Sequence, residues 1–132
     1  MFLSGQRSIP RALSQRVKAV ADESFTRTVT LTADDLPPLP EGWHYALDTA
    51  IALKLKGRCD PHRDDFMGTG PAAAHASLFW LFSDSSKRPS ALMVEDQAQD
   101  MRAGQWVLFE DQKLHAFLAD GTWVGVAVQA YR

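Results

Sequence analysis

His62 and Asp64 stand two positions apart in the run Pro61-His62-Arg63-Asp64-Asp65-Phe66, and a further histidine, His115, opens a later apolar segment. In an extended chain this spacing turns both side chains of the first pair to one face, so a single ion can reach them together. Two imidazoles and one carboxylate on one side of a metal leave positions open for substrate or dioxygen, the arrangement suited to non-heme iron(II). The His-x-Asp pair alone is a weak signal, because a solvated turn built from Asp60, Pro61, Asp64 and Asp65 would contain it too. His115 also reads as a core histidine bonded to backbone. Asp65 replaces Asp64 only if the segment is bulged. His44 and His75 lack a partner at ligand spacing, so surface or hydrogen-bonding roles are expected for them. Cys59, the one cysteine in the chain, is expected to be structural or incidental.

These residues need a scaffold, and the hydrophobic pattern supplies one. From Ile9 to Phe25, Leu13, Val17, Val20 and Ala21 recur at helical spacing, with Ser8 as a candidate N-cap and Pro10 near the first turn. Phe25 to Thr32 alternates apolar residues with threonines, a strand pattern. Asp34 to Gly42 holds Pro37, Pro38 and Pro40 and is expected to be irregular. The remainder reads as short β segments: Tyr45 to Lys56, Ser77 to Phe82, Ala91 to Glu95, Trp106 to Phe109, His115 to Leu118, and Trp123 to Tyr131. Turn-rich clusters separate them, such as Gly68-Thr69-Gly70-Pro71 and Ser83-Asp84-Ser85-Ser86, and the only low-complexity tract is Ala72-Ala73-Ala74. The pattern predicts a mainly β (α+β) protein, a sandwich or jelly roll behind an N-terminal helix, with antiparallel pairing. Phe79, Trp80, Phe82, Trp106 and Phe109 are expected to fill its core. Gly125 and Ala127 share the face of Trp123, while Val124, Val126 and Val128 form the opposite apolar row.

Composition narrows the function classes. At 132 residues, with 45% hydrophobic and 23% charged residues, the chain is expected to form a single domain, with the β core over 45–132. A net charge of −2 without a Lys/Arg concentration gives no basis for non-specific nucleic-acid binding. Nothing near Met1 resembles a signal peptide, and no long apolar run suggests a membrane span, so the cytoplasm is the expected location. A single cysteine fits a reducing compartment.

The segment around Pro61-His62-Arg63-Asp64-Asp65-Phe66, after a strand ending in Lys56-Gly57-Arg58, resembles the first metal-binding segment of the iron(II)/2-oxoglutarate-dependent dioxygenases. Gly104-Gln105-Trp106-Val107-Leu108-Phe109-Glu110, leading into Leu114-His115-Ala116-Phe117, resembles the Gly-led strand before that family's second metal histidine. Gly121-Thr122-Trp123-Val124-Gly125-Val126 resembles the strand after it. The resemblance runs from Tyr45 to the C-terminus, about two thirds of the chain, and the order of its parts is more specific than any one motif. It implies a double-stranded β-helix, a cupin-like jelly roll, with iron(II) on His62, Asp64 and His115. It also implies oxidative decarboxylation of 2-oxoglutarate coupled to hydroxylation or demethylation of a second substrate.

The family usually places an Arg or Lys on its last core strand to pair with the far carboxylate of 2-oxoglutarate. Trp123 stands at that position here, and tryptophan cannot form the charge-assisted bond. Arg132 points to the opposite face under strict alternation, unless a bulge intervenes. Lys54, Lys56, Arg58 and Arg63 are the other cations near the proposed ligands. On this reading Arg58 or Arg132 holds a carboxylate, Gln129 adds a hydrogen bond, and Trp123 closes the pocket floor. The cosubstrate is a small molecule, the primary substrate is unreadable, and a protein partner could complete the site. Two other readings stand beside this one. The first is a non-catalytic cupin-like binding module, a degenerate dioxygenase included. The second is a zinc hydrolase using Glu110 or Asp65 as its base.

Overall fold

In the computed structural model, which describes residues 1–68, 74–110 and 112–132, ten strands and one α-helix follow the order β1 (Phe2–Gln6), α1 (Arg11–Val20), β2 (Arg27–Thr28), β3 (His44–Lys56), β4 (Cys59–His62), β5 (His75–Asp84), β6 (Ser90–Val94), β7 (Gln97–Met101), β8 (Gln105–Glu110), β9 (His115–Leu118) and β10 (Thr122–Tyr131). They form two antiparallel sheets, one ordered β1-β8-β5-β10-β3-β2 and the other β4-β9-β6-β7. The mainly β architecture with a helix near the N-terminus is the one the pattern predicts, except that a strand precedes the helix.

The larger sheet is covered on both faces, which explains why its central strands lack clean alternation. On β5 and β10, Trp80, Phe82, Val124, Val126 and Val128 pack outward against Leu13 and Val17 of α1 and against Val29, Leu31 and Leu36. Phe79, Leu81, Phe109 and Trp123 point the other way and meet Leu92, Val94, Met101 and Phe117 between the sheets. The expected aromatic core therefore divides into two layers, except that Trp106 is only half-buried against the first of them. Gly125 is required where they are separated by one backbone thickness, because a Cβ there would lie 2.8 Å from the Phe79 ring and 3.0 Å from the Trp80 carbonyl.

Several elements differ from the sequence reading. The helix spans Arg11–Val20 rather than Ile9 to Phe25, and its N-cap is Pro10 without a side-chain cap, so Ser8 plays no capping part. It stops because the Asp22 side chain accepts the Ser24 amide at 2.8 Å, a local turn that competes with helix continuation. The Phe25 to Thr32 strand shrinks to Arg27–Thr28 paired with Ala52 and Ile51; Phe25 is exposed under the Arg27 guanidinium, while Val29 and Leu31 are buried. Asp34 to Gly42 includes a short 3-10 turn at Ala33–Asp35 and is otherwise without regular structure. Ser83 and Asp84 belong to the end of β5 rather than to the turn after it. Of the expected turn Gly68-Thr69-Gly70-Pro71 and the alanine run, 69–73 lie outside the described residues.

Candidate metal centre

β4 and β9 lie side by side with His62 and His115 as direct register partners, the ladder being interrupted by a bulge between Cys59 and His62. β4 is an edge strand containing Pro61, a position where a missing amide costs no ladder bond. The two imidazole rings are 4.2 Å apart between centroids. Asp64 lies two residues past the end of β4, in irregular chain rather than on one extended strand with His62, and still joins both: His115 Nε2 is 3.1 Å from Asp64 Oδ2, and His62 Nε2 is 3.6 Å from Asp64 Oδ1. One ligand atom from each residue lies within 4.8 Å of the others. The structure thus brings together the three residues singled out by type and spacing.

The far nitrogen of each ring is fixed by backbone. His62 Nδ1 is 2.8 Å from the Asp60 carbonyl, and His115 Nδ1 is 2.9 Å from the Lys113 carbonyl. A carbonyl oxygen can only accept, so both Nδ1 atoms carry protons, and each Nε2, which faces Asp64, is the atom that becomes available to an ion when its own proton is absent. A metal-binding histidine characteristically donates its other ring N–H in this way. The hydrogen bond from His115 is the main influence holding the Asp64 carboxyl below the usual range; partial burial opposes it, and the charges of His115 and His62 reinforce it.

Two glutamines hold the ligand segment. Gln129 on β10 accepts the Met67 amide through Oε1 at 2.6 Å and donates through Nε2 to the Asp65 carbonyl at 2.8 Å. Gln112 donates to the Asp64 carbonyl at 2.9 Å and to Asp65 Oδ1 at 2.8 Å. The Asp65 carboxylate therefore turns to Gln112 rather than toward the histidines. Gln112, which sequence reasoning missed, has a φ of 68°, and an isolated glutamine in a loop offers no periodic signal.

Inward from these ligands lies a cavity of about 310 Å³. Ile51, Leu53 and Leu55 of β3 line one wall; Phe79, Leu92, Phe109 and Phe117 line others, with Trp123 and Ala127 from β10. Trp123 is buried, donates Nε1–H to the Gly57 carbonyl at 2.8 Å, and meets the Phe79 and Phe117 rings edge-on. Leu53 and Leu55 alternate with Lys54 and Lys56, so the two lysines expected near the ligands are turned to the other face and do not line the cavity. Cys59 lines the cavity too; burial pushes its thiol pKa up and the charges of Asp60 and Asp64 add to this, so it stays protonated.

The expected cations stand elsewhere. Arg58 is ion-paired with Asp60 at 3.0 Å on the surface. Arg63 donates to the Gln112 carbonyl at 3.0 Å. A bulge does interrupt β10 between Ala127 and Gln129, yet the Arg132 guanidinium sits over the Trp43 ring at 5.5 Å. Neither Arg58 nor Arg132 lines the cavity, and Gln129 spends its amide on the ligand segment. His75 stacks on Phe66 at 4.0 Å and His44 lies near Tyr131, and neither joins the ligand group.

No protein-family model and no curated protein matches the sequence. Solved structures do match. A cupin-2 domain protein from Shewanella frigidimarina superposes with a TM-score of 0.51 at 12% identity, over 81% of this chain and 80% of the other. KdgF from Halomonas sp. gives a TM-score of 0.47 at 13% identity, over 63% and 67% of the two chains. A cupin superfamily protein from Desulfitobacterium hafniense gives 0.39 at 14% identity, over 80% and 89%. The fold assignment rests on the first of these together with the sheet topology. No helix among the described residues is long and apolar enough to cross a membrane. The chain has the cupin fold, a double-stranded β-helix, with two histidines and an aspartate gathered beside its internal cavity.

Proposed function

We propose that the chain binds one divalent metal, iron(II) in particular, at His62, Asp64 and His115, and acts as a metal-dependent oxygenase on a small molecule held in the adjoining cavity. The observation that carries this reading is the pair of Nδ1 bonds to the carbonyls of Asp60 and Lys113, which aim both Nε2 atoms at the Asp64 carboxylate. The donor set fits the ion: two neutral imidazoles and one carboxylate suit iron(II) and leave coordination positions free. When bound, the metal supplies the redox chemistry with dioxygen that no side chain lining this cavity can perform.

The chain's own residues bind, orient and shield. Gln112 and Gln129 hold the backbone that presents Asp64. Phe79, Phe117 and Trp123 exclude water from the inner end of the cavity. Apart from the ligands themselves, Cys59 is the one titratable group among the described residues that line it. This opposes the hydrolase reading, which needs a separate base. Of its two candidates, Glu110 pairs with the N-terminal amine and Asp65 with Gln112.

The test is anaerobic loading with iron(II), followed by nitric oxide as a stand-in for dioxygen. A high-spin iron-nitrosyl resonance, lost in His115→Ala, supports an oxygenase with open positions. Iron that binds without accepting nitric oxide favours the non-catalytic binding module instead.

A further inference from the structure

Resting on that metal reading, we infer that the cavity selects a monoanionic chelating ligand with an apolar body, a 2-oxo carboxylate carrying a hydrocarbon tail, rather than the dicarboxylate 2-oxoglutarate. Charge and cavity lining both point this way. One carboxylate, Asp64, leaves a divalent ion with a single net positive charge, which one anionic group neutralises. A second carboxylate would enter a space walled by Leu53, Leu92, Phe79, Phe117 and Trp123. Among the described lining residues there is no Lys or Arg to meet it. The arginines next in sequence to lining residues are committed outside, Arg27 to Asp22, Arg58 to Asp60 and Arg63 to the Gln112 carbonyl. A carboxylate buried with no cation, and with only the Thr26 and Ser77 hydroxyls as polar groups among the lining side chains beyond the ligands and Cys59, is disfavoured, whereas a branched alkyl tail gains from the same burial.

Size agrees. A volume of about 310 Å³ holds on the order of ten water-sized atoms at ~30 Å³ each, enough for a short keto acid and its tail. Exposure sets the orientation. His62 and Asp64 side chains are 41% and 44% exposed, against 10% for His115 and 1% for Trp123. The polar head therefore meets the metal near the mouth, and the tail runs inward to the tryptophan.

The experiment uses the full chain, loaded anaerobically and first shown by calorimetry to bind one metal. 4-Methyl-2-oxopentanoate and 2-oxoglutarate, similar in size, are then titrated against it. We expect the first to bind at least about tenfold more tightly. Equal or tighter binding of 2-oxoglutarate, or no binding of either acid to the loaded protein, overturns the inference while leaving the metal site standing; failure of the metal to bind removes both. Ile51→Arg, at a half-buried wall position, is expected to reverse the preference by supplying the missing cation, with Leu53→Arg as a second variant should the first not fold. A folded, metal-loaded arginine variant that still prefers the apolar acid counts against the charge argument.

Discussion

His62 and His115 face each other directly across the β4–β9 ladder, with their Nε2 atoms 3.6 and 3.1 Å from the two oxygens of Asp64. The pairing makes the two imidazoles a preformed clamp, since each ring is held from behind by its own backbone carbonyl. Removing either ring is expected to lower metal affinity by about 100-fold or more, beyond the effect of losing an outer-sphere contact. His62→Ala should do so with little loss of stability, being partly exposed, whereas His115→Ala should also lower the melting temperature. Calorimetric metal titration beside thermal melts measures both.

Gln129 is expected to control the site at one remove. Gln129→Met keeps the size but leaves the Met67 amide and the Asp65 carbonyl without this partner. We expect metal affinity to fall about 10–100-fold and stability by about 1–3 kcal/mol. A variant that loses stability but retains metal affinity would show the glutamine to be structural only.

Trp123 is expected to behave as a wall. Trp123→Phe retains an aromatic ring against Phe79 and Phe117 but loses the bond to the Gly57 carbonyl, and should cost about 1–3 kcal/mol in denaturant unfolding. Metal affinity should be unchanged, because the indole touches none of the three ligands in the contacts described.

Tyr45 gives a pH signature remote from the site. Burial raises its phenol pKa well above the ordinary range, against a smaller lowering by Arg7, and its hydroxyl donates to the Pro37 carbonyl at 2.6 Å. The folded state therefore keeps this proton at a pH where the unfolded chain, titrating near ~10, has lost it. Its contribution is complete below that value and is lost as pH rises toward the folded pKa. Tyr45→Phe should flatten the loss of stability above pH ~10 in alkaline unfolding curves.

Much of this was legible in the residue pattern, for identifiable reasons. Strands β3, β5, β6, β8, β9 and β10 lie within about two residues of their expected limits, because alternation or continuous apolar runs mark them. β4 was hidden by Asp60 and Pro61, which read as a turn and here form an edge strand. β7, with the sequence Gln97-Ala98-Gln99-Asp100-Met101, is polar and is defined by its hairpin with β6, which turns at Glu95 with a φ of 52°. The ligand trio could be named from residue type and spacing, but not the support behind it. Gln112 and the commitment of Arg63 and Arg132 to outside partners depend on tertiary placement, while the Asp60 and Lys113 carbonyls and the Arg58–Asp60 pair lie two residues from their partners and depend on local backbone shape; no hydrophobic period encodes either.

The central claim is that His62, Asp64 and His115 form one metal site, and an anaerobic iron(II) titration of the wild type against His62→Ala/His115→Ala tests it most directly. One tightly bound ion per chain in the wild type, and none in the double variant, is the predicted result. No stoichiometric binding by the wild type, or equal binding by the folded double variant, would contradict it.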